Sequence, residues 1–575
     1  MSLYDDASLI AYPSGYKEDK IYSIKPTDGS GDLTFSRASS ATRVNEQGLI
    51  EESPVNKLTY SEDFSNAAWI KLNLSITANS STSPDGTQNS TLVVPNATVG
   101  NRLIVNNTVN NLKTNSVFLK KKEIEYVKLG NASATVVVNL SNGTLSKSSD
   151  STNDYSIESY GNEWYRVSIY NKTATSYQIQ FFFGVDSSGA NIATNGTDGL
   201  YIWGAQLNSG STAKTYFPTT DRLNVPRIDY SNGCGSLLLE PQRTNLYLNS
   251  EPTANENASG NISYVTADFG LGFSNYVLFG DNSVARYRYG GTCAASTEYT
   301  ISAFIKMDSG LTPMSGSAAT DDFTFVVGGV VVSSGYVTQY FSNGIYRVSA
   351  TVTSGTSNLG NNGILKYPYQ TDNGFKVVGW QIEAGSYSTS YIISNSGTTT
   401  TRLADTSSTT GLSSVVNSTE GVLYAEISAL ADDGTSRDIS INDGTSSNYV
   451  RISLSNASAN IEYNVVVGGS TQASGLSAIT QTDLNKIALK YKLNDFALWV
   501  NGVEVLTDSS GSTFSASTLT NLSYNRGTGV NPFYGNCQNL MVFPSVLTDE
   551  QLTDLTGTVQ TSFNSLALSL GYTIL

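Results

Sequence analysis

Two short stretches have the residue types that could recognise a ligand, Arg286-Tyr287-Arg288-Tyr289 and Tyr367-Pro368-Tyr369. Sugars are held by exposed aromatic faces with amide or carboxylate groups beside them, because an aromatic ring offers an apolar body and tyrosine adds a polar tip. In the first stretch the alternation puts two arginines on one sheet face and two tyrosines on the other. The second reads as a loop or edge strand. Tyr287, Tyr289, Tyr367 and Tyr369 are therefore the candidate ligand-binding residues, with inter-subunit packing and plain surface as the competing readings. Trp203, Trp380, Tyr165 and Tyr346 lie on strands that recur along the chain, which points to core packing instead.

Reactive chemistry has less to work with. The chain contains no histidine, which excludes imidazole acid–base catalysis, His-based triads and His metal sites. Cys234, Cys293 and Cys537 are odd in number and far apart, giving neither a disulfide framework nor a thiolate zinc site. Glycoside hydrolysis needs two carboxylates flanking a cleft. Glu163 and Glu383 stand near recurring strands, but neither has a sequence partner, and both read as solvated surface charge. Asp432-Asp433-Gly434 and Asn442-Asp443-Gly444 could supply oxygen ligands to Ca²⁺. Neither follows EF-hand spacing and both are ordinary turn sequences. The expectation is a protein with no catalytic residues, no resident metal and no cofactor.

The elements that must position the tyrosines are strands. Only 14% of the 575 residues are charged, against about 25% in an average soluble protein. Thirty-four Tyr, twenty Phe and fifty Gly accompany abundant Ser, Thr and Asn, a balance that favours strands and turns. A net charge of −15, with no basic block beyond Lys120-Lys121-Lys122, argues against nucleic acid. The most apolar stretch, around residues 323–332, is too short and too interrupted by glycine to span a bilayer as a helix. Met1-Ser2-Leu3-Tyr4-Asp5-Asp6 is acidic where a secretory signal would be basic, so Asn-x-Ser/Thr triplets such as Asn131, Asn139, Asn142 and Asn195 are not read as glycosylation sites.

An internal repeat organises the first four hundred residues. Asp198-Gly199-Leu200-Tyr201-Ile202-Trp203-Gly204-Ala205-Gln206-Leu207 recurs 175 residues later as Asn373-Gly374-Phe375-Lys376-Val377-Val378-Gly379-Trp380-Gln381-Ile382. Trp164–Ser168 matches Ile345–Ser349, and Ser116–Lys120 matches Ser302–Lys306. An Asn…Ser-Glu segment opens each copy, at Asn56–Glu62 and Asn245–Glu251. The matched blocks alternate with period two, and Gly/Asn/Ser/Asp turns separate them, which predicts two homologous jelly-roll sandwiches.

These segments also carry a family resemblance. Leu58–Trp69, Ser83–Thr87 and Trp203–Leu207 resemble the carbohydrate-binding-type jelly rolls of bacteriophage tail and fibre proteins. Leu33–Val44 and the join Arg227–Tyr230 through Leu237–Leu246 resemble parts of the same proteins, so the likeness covers most of residues 30–400. It implies a virion component, made in the host bacterial cytoplasm, whose partners are other virion proteins, further copies of itself in a trimer, and host-surface glycans.

From Gly421 the pattern changes. Val422–Ser428 and Lys486–Tyr491 alternate, Ala497–Val505 contains an Asn501-Gly502 hairpin turn, and Thr548 with Gln551 forms a capping box that starts a helix. The succession resembles the laminin-G/concanavalin-like fold. The expected fold class is thus all-β: tandem jelly-roll sandwiches followed by a concanavalin/laminin-G-like sandwich. Its expected map is an attachment segment (1–55), modules at 56–220 and 245–402, linkers at 221–244 and 403–420, the lectin-like domain at 421–557, and a strand or assembly tail at 558–575. The first reading of function is a non-enzymatic tail fibre or related appendage that adheres to glycans. The alternatives are a head fibre, capsid decoration or tail/baseplate part using its jelly rolls for protein contacts, and a depolymerase, which would need paired carboxylates.

Overall fold

The computed structural model describes residues 3–11, 15–105, 113–130, 135–147, 149–172, 180–252, 258–280, 285–288, 291–395 and 397–557. The fold is all-β, and among the described residues the two α-helices are Leu3–Asp6 and Asp549–Thr556. The chain forms two compact units, residues 53–223 and residues 1–52 with 224–575.

Residues 53–223 form a sandwich of two six-stranded antiparallel sheets. Its core includes Phe64, Trp69, Val117, Leu119, Phe181 and Ile202. The other unit contains a sandwich of the same plan, with sheets of five and six strands around Tyr247, Ile301, Phe325 and Trp380. One sheet of the first module runs in the order Asn153–Ser159, Trp164–Asn171, Lys113–Lys121, Leu200–Ser209, Ser90–Pro95, Leu74–Ser81. Its counterpart runs Tyr336–Ser342, Ile345–Thr353, Glu298–Met307, Phe375–Ala384, Tyr276–Phe279, Ile262–Val265. The order is identical.

The repeated residues keep that plan in register. Both copies carry a β-bulge at the same place, between Ser116 and Phe118 and between Ser302 and Phe304. Opposite each bulge sits a left-handed glycine, Gly204 at φ 60° and Gly379 at φ 67°. A Cβ at these glycines would meet the Phe118 and Phe304 rings at 2.9 and 2.6 Å, so backbone conformation and space both demand glycine. Each module is also closed by one fully buried asparagine. Asn56 donates to the carbonyls of Ala205 and Phe217 and accepts from the Leu58 and Leu207 amides. Asn245 repeats this on Trp380, Ile392, Tyr247 and Ile382.

The third sandwich corrects the expected map. Its two sheets, of eight and nine strands, draw on four parts of the chain. Leu9 and Ile10 pair with Val542 and Met541, and Leu33–Ser36 pairs with Thr406–Thr409. Ile228–Asp229 and Ser236–Leu239 extend the sheet beside Gly535–Phe543. The segment read as a separate 1–55 attachment piece, and the linkers at 221–244 and 403–420, therefore contribute strands to these sheets. Leu9, Ile21, Leu33 and Phe35 are too few to build a core of their own, yet they complete one shared with Ile441, Leu489 and Val542, and they cover strands that would otherwise be open edges. The Asn501-Gly502 turn and the Thr548–Gln551 capping box form as the sequence predicts. The tail at 558–575 lies outside the described residues.

Two substitutions test this account. Leu9→Ala, which empties a fully buried site, should destabilise the larger unit by about 2–5 kcal/mol, read as a shifted denaturant midpoint for that unit's transition. Asn245→Ala leaves two amide donors and two carbonyls without their partner and should cost about 2–3 kcal/mol in the same measurement.

Candidate ligand-binding site

The four candidate tyrosines have different fates. Tyr287 is fully buried and lies flat against Trp380 at 5.1 Å, so its reading as a ligand contact is corrected: it is core. The alternation was real, but the tyrosine face of that strand is the inner face. Arg286, on the other face, is partly exposed, and Tyr289 lies outside the described residues. Tyr367 and Tyr369 form a parallel stack at 5.2 Å with planes 8° apart, and Tyr369 is 52% exposed.

This tyrosine ledge is held from beneath. Gln370 is buried, accepts from the Tyr367 amide and donates to the Gly316 carbonyl. Asp322 accepts from the Thr371 hydroxyl, the Asn373 amide group and the Met314 backbone. Lys366 donates to the Asn373 carbonyl. The loop is fixed by buried polar groups while Tyr369 is exposed and Tyr367 half-buried, which lowers the entropy lost when a ligand stacks.

The recurring aromatics are core on opposite faces. Trp203 packs with Phe118 and Tyr216, whereas Trp380 packs with Tyr247 and Tyr287. Trp203 corresponds to Val378, and Trp380 to Ala205, so each module places its tryptophan on a different side of one strand. Glu163 is surface charge, 78% exposed. Glu383 is not: it is fully buried, accepting from Gln381 and from both the amide and hydroxyl of Thr389, with Arg243 at 3.6 Å. Its place in the first module is taken by Asn208, which accepts from the Lys214 amide, so the carboxylate is a loop anchor. Asp433 and Asp443 accept hydrogen bonds within their own turns, and Asp432 accepts from Ser458 and Ala459.

Sequence reasoning missed a cleft of about 500 Å³ in the larger unit. Its lining combines the apolar Ile50, Phe304, Val337 and Phe341 with the hydroxyl-rich run Ser386–Ser390. Residues 42–44, 231–232 and 428–431, Asp229, Thr482 and Asn536 also line it, so the residues span almost five hundred positions and no local motif announces them. The only sequence signal is the serine and tyrosine density of Ser386-Tyr387-Ser388-Thr389-Ser390-Tyr391.

Beneath this cleft lies a buried ion network. Arg227 pairs with Glu240 at 2.6 Å and with Asp405, Arg37 pairs with Asp405 at 3.1 Å, and Arg402 pairs with Glu240 at 2.9 Å. All five side chains are at most 2% exposed. Burial alone would raise the Glu240 carboxyl, but the Arg402 and Arg227 guanidiniums and the Ser390 amide and hydroxyl hold it down at about 2. Burial pushes Arg37 down to about 10 in spite of Asp405.

No protein-family model matches this chain, and no curated protein matches it. Among solved structures, the chain is similar to the CBM40 domain of a Ruminococcus gnavus sialidase bound to α2,6-sialyllactose. That match is 19% identical, covers 26% of this chain and 92% of that one, and has a TM-score of 0.23. A leech intramolecular trans-sialidase is also 19% identical, over 25% of this chain and 24% of that one, with a TM-score of 0.22. The CBM22 tandem of Paenibacillus barcinonensis Xyn10C is 10% identical over 57% of this chain and 97% of that one, with a TM-score of 0.17. No ligand or activity transfers at these values.

The network sets a pH response. A depressed carboxyl contributes stability that is complete above its unfolded value, about 4.3, and is lost as pH falls through its folded value of about 2. Thermal melts should therefore drop between about pH 5 and 2. Glu240→Gln should flatten that drop and, by leaving Arg402 without its carboxylate and Arg227 with Asp405 alone, lower stability at neutral pH by about 3–5 kcal/mol.

Proposed function

We propose that this protein is a non-catalytic structural component of a bacteriophage virion, a tail fibre or related appendage that adheres to host-surface glycans. The observation that carries the glycan reading is the Tyr367–Tyr369 ledge: two parallel rings, one half-buried and one exposed, held by buried polar anchors. The virion reading rests on the phage-like segments that run through residues 30–400. Sandwich modules of this kind suit adhesion by repetition. One stacking site binds weakly, and several copies presented together gain about 10²–10⁴ in avidity, so a homotrimer assembled with other virion proteins fits the role.

A second reading has its own observation. Tyr336–Ser342 is an edge strand of its sheet, and it exposes Val337 and Tyr340 at 64% and 59%. An open apolar edge is a ready surface for another chain. It favours a head-fibre, capsid-decoration or baseplate part that uses its jelly rolls for protein contacts.

Glycan-array binding of the whole protein, followed by the double variant Tyr367→Ala/Tyr369→Ala, separates these readings. Adhesion predicts bound glycans and about a tenfold or greater loss in the variant, as expected when aromatic stacking is removed, with the melting temperature unchanged. An empty array would favour the assembly role, whereas binding indifferent to the ledge would move glycan recognition away from Tyr367 and Tyr369.

A further inference from the structure

The cleft contains a cation with unused capacity. Arg347 is 9% exposed, lies over the Phe304 ring at 5.6 Å and donates one hydrogen bond, to the Ser302 hydroxyl at 3.0 Å. Its buried Nε has no acceptor. The counterpart in the first module, Arg166, makes three such bonds, two to Ser116 and one to the Lys214 carbonyl. The acids acting on Arg347 are Glu383 and Glu240, and both are committed elsewhere: Glu383 to Gln381, Thr389 and Arg243, Glu240 to Arg227, Arg402 and Ser390. Asp229, the other acid in the lining, accepts from the Val44 and Ser231 amides. Arg43 is held by Glu51, Tyr16 and the Ile228 carbonyl. Arg347 is thus the lining cation left short of a counter-charge, and a buried charge in that condition is costly until an anion completes it.

We infer that the cleft is a second glycan site, selective for a carboxylate-bearing saccharide whose acid group meets the Arg347 guanidinium. The walls fit that ligand class. A sugar presents an apolar C–H face and a hydroxyl edge, and the lining offers both apolar side chains (Ile50, Phe304, Val337, Phe341) and hydroxyl groups (Ser386–Ser390). A volume of about 500 Å³ lies within the range of small-ligand pockets and is roomy for a disaccharide. The carboxylate supplies the charge-assisted hydrogen bonds that Arg347 lacks. The inference rests on the glycan-binding reading for its ligand class, but it uses none of the ledge residues.

The test is titration of the full chain with digalacturonic acid and with neutral galactobiose, followed by NMR or calorimetry. The acid should bind about tenfold or more tightly than the neutral sugar, the margin expected for one charge-assisted contact. Arg347→Gln should abolish that preference, Arg347→Lys should keep part of it, and raised salt should weaken it. Ser388→Trp, which fills the cleft without touching a buried charge, should remove binding of the acid even where Arg347→Gln fails to fold. Tyr367→Ala/Tyr369→Ala should leave the acid's affinity unchanged. Equal affinity for the two sugars, no binding of the acid at about 10 mM, weaker than any useful site, or binding that survives Ser388→Trp would overturn the assignment. Loss of binding in the ledge variant alone would return all glycan recognition to Tyr367 and Tyr369.

Discussion

The larger unit depends on one buried interaction, the pairing of Arg227 with Glu240 and Asp405. Charges withdrawn from water are tolerated only when every one is matched, and here the matching partners come from distant parts of the chain. Arg37 belongs to the N-terminal segment, Arg227 and Glu240 flank the strands at 228–239, and Ser390 closes the second module. Arg402 and Asp405 lie on the stretch that leads into the last sandwich. The network cannot be satisfied unless all of these arrive together. It therefore specifies how the second module joins the third sandwich more sharply than apolar contact could, since apolar contact has no preferred direction.

The duplication is instructive for what it preserved. The two modules share buried rings such as Phe118 and Phe304 but not their tryptophans: Trp380 occupies the inner face where the first copy has Ala205, and Trp203 the outer face where the second has Val378. They share the groups that satisfy buried backbone. Asn56 and Asn245, Gln206 and Gln381, Ser61 and Ser250, and the bulge glycines Gly204 and Gly379 all hold equivalent positions with equivalent bonds. Apolar volume can be redistributed among neighbours, whereas a buried amide without a partner costs about 1–3 kcal/mol wherever it lies.

The same distinction explains the two surfaces open to ligands. The rings of the Tyr367–Tyr369 ledge are local: proline sets the chain between them and Gln370 closes the loop, while Gly316 and Asp322 anchor it from about fifty positions away. The cleft is assembled from the N-terminal hairpin at Ala41–Val44 and Ile50–Ser53, the second module and the last sandwich. Arg347 lines it and lacks the carbonyl contact that occupies Arg166 in the first copy. Homologous residues with the same sheet position can thus differ in availability through a single loop.

The sequence by itself determined the all-β class, the two-module repeat, the hairpin at Asn501-Gly502 and the capped helix at Thr548, because each rests on near-neighbour periodicity or turn chemistry. It also put forward Tyr367 and Tyr369, whose stack is formed across one intervening residue. Tertiary structure alone decided that Tyr287 points inward, since alternation separates two faces of a strand without saying which one is buried. It decided too that Glu383 is an anchor, and that residues 9–36, 228–239 and 406–409 belong to the last sandwich. Those segments are short, and their meaning lies in strand partners up to more than five hundred positions away, where hydrogen-bond register and shared burial, rather than local pattern, fix the outcome.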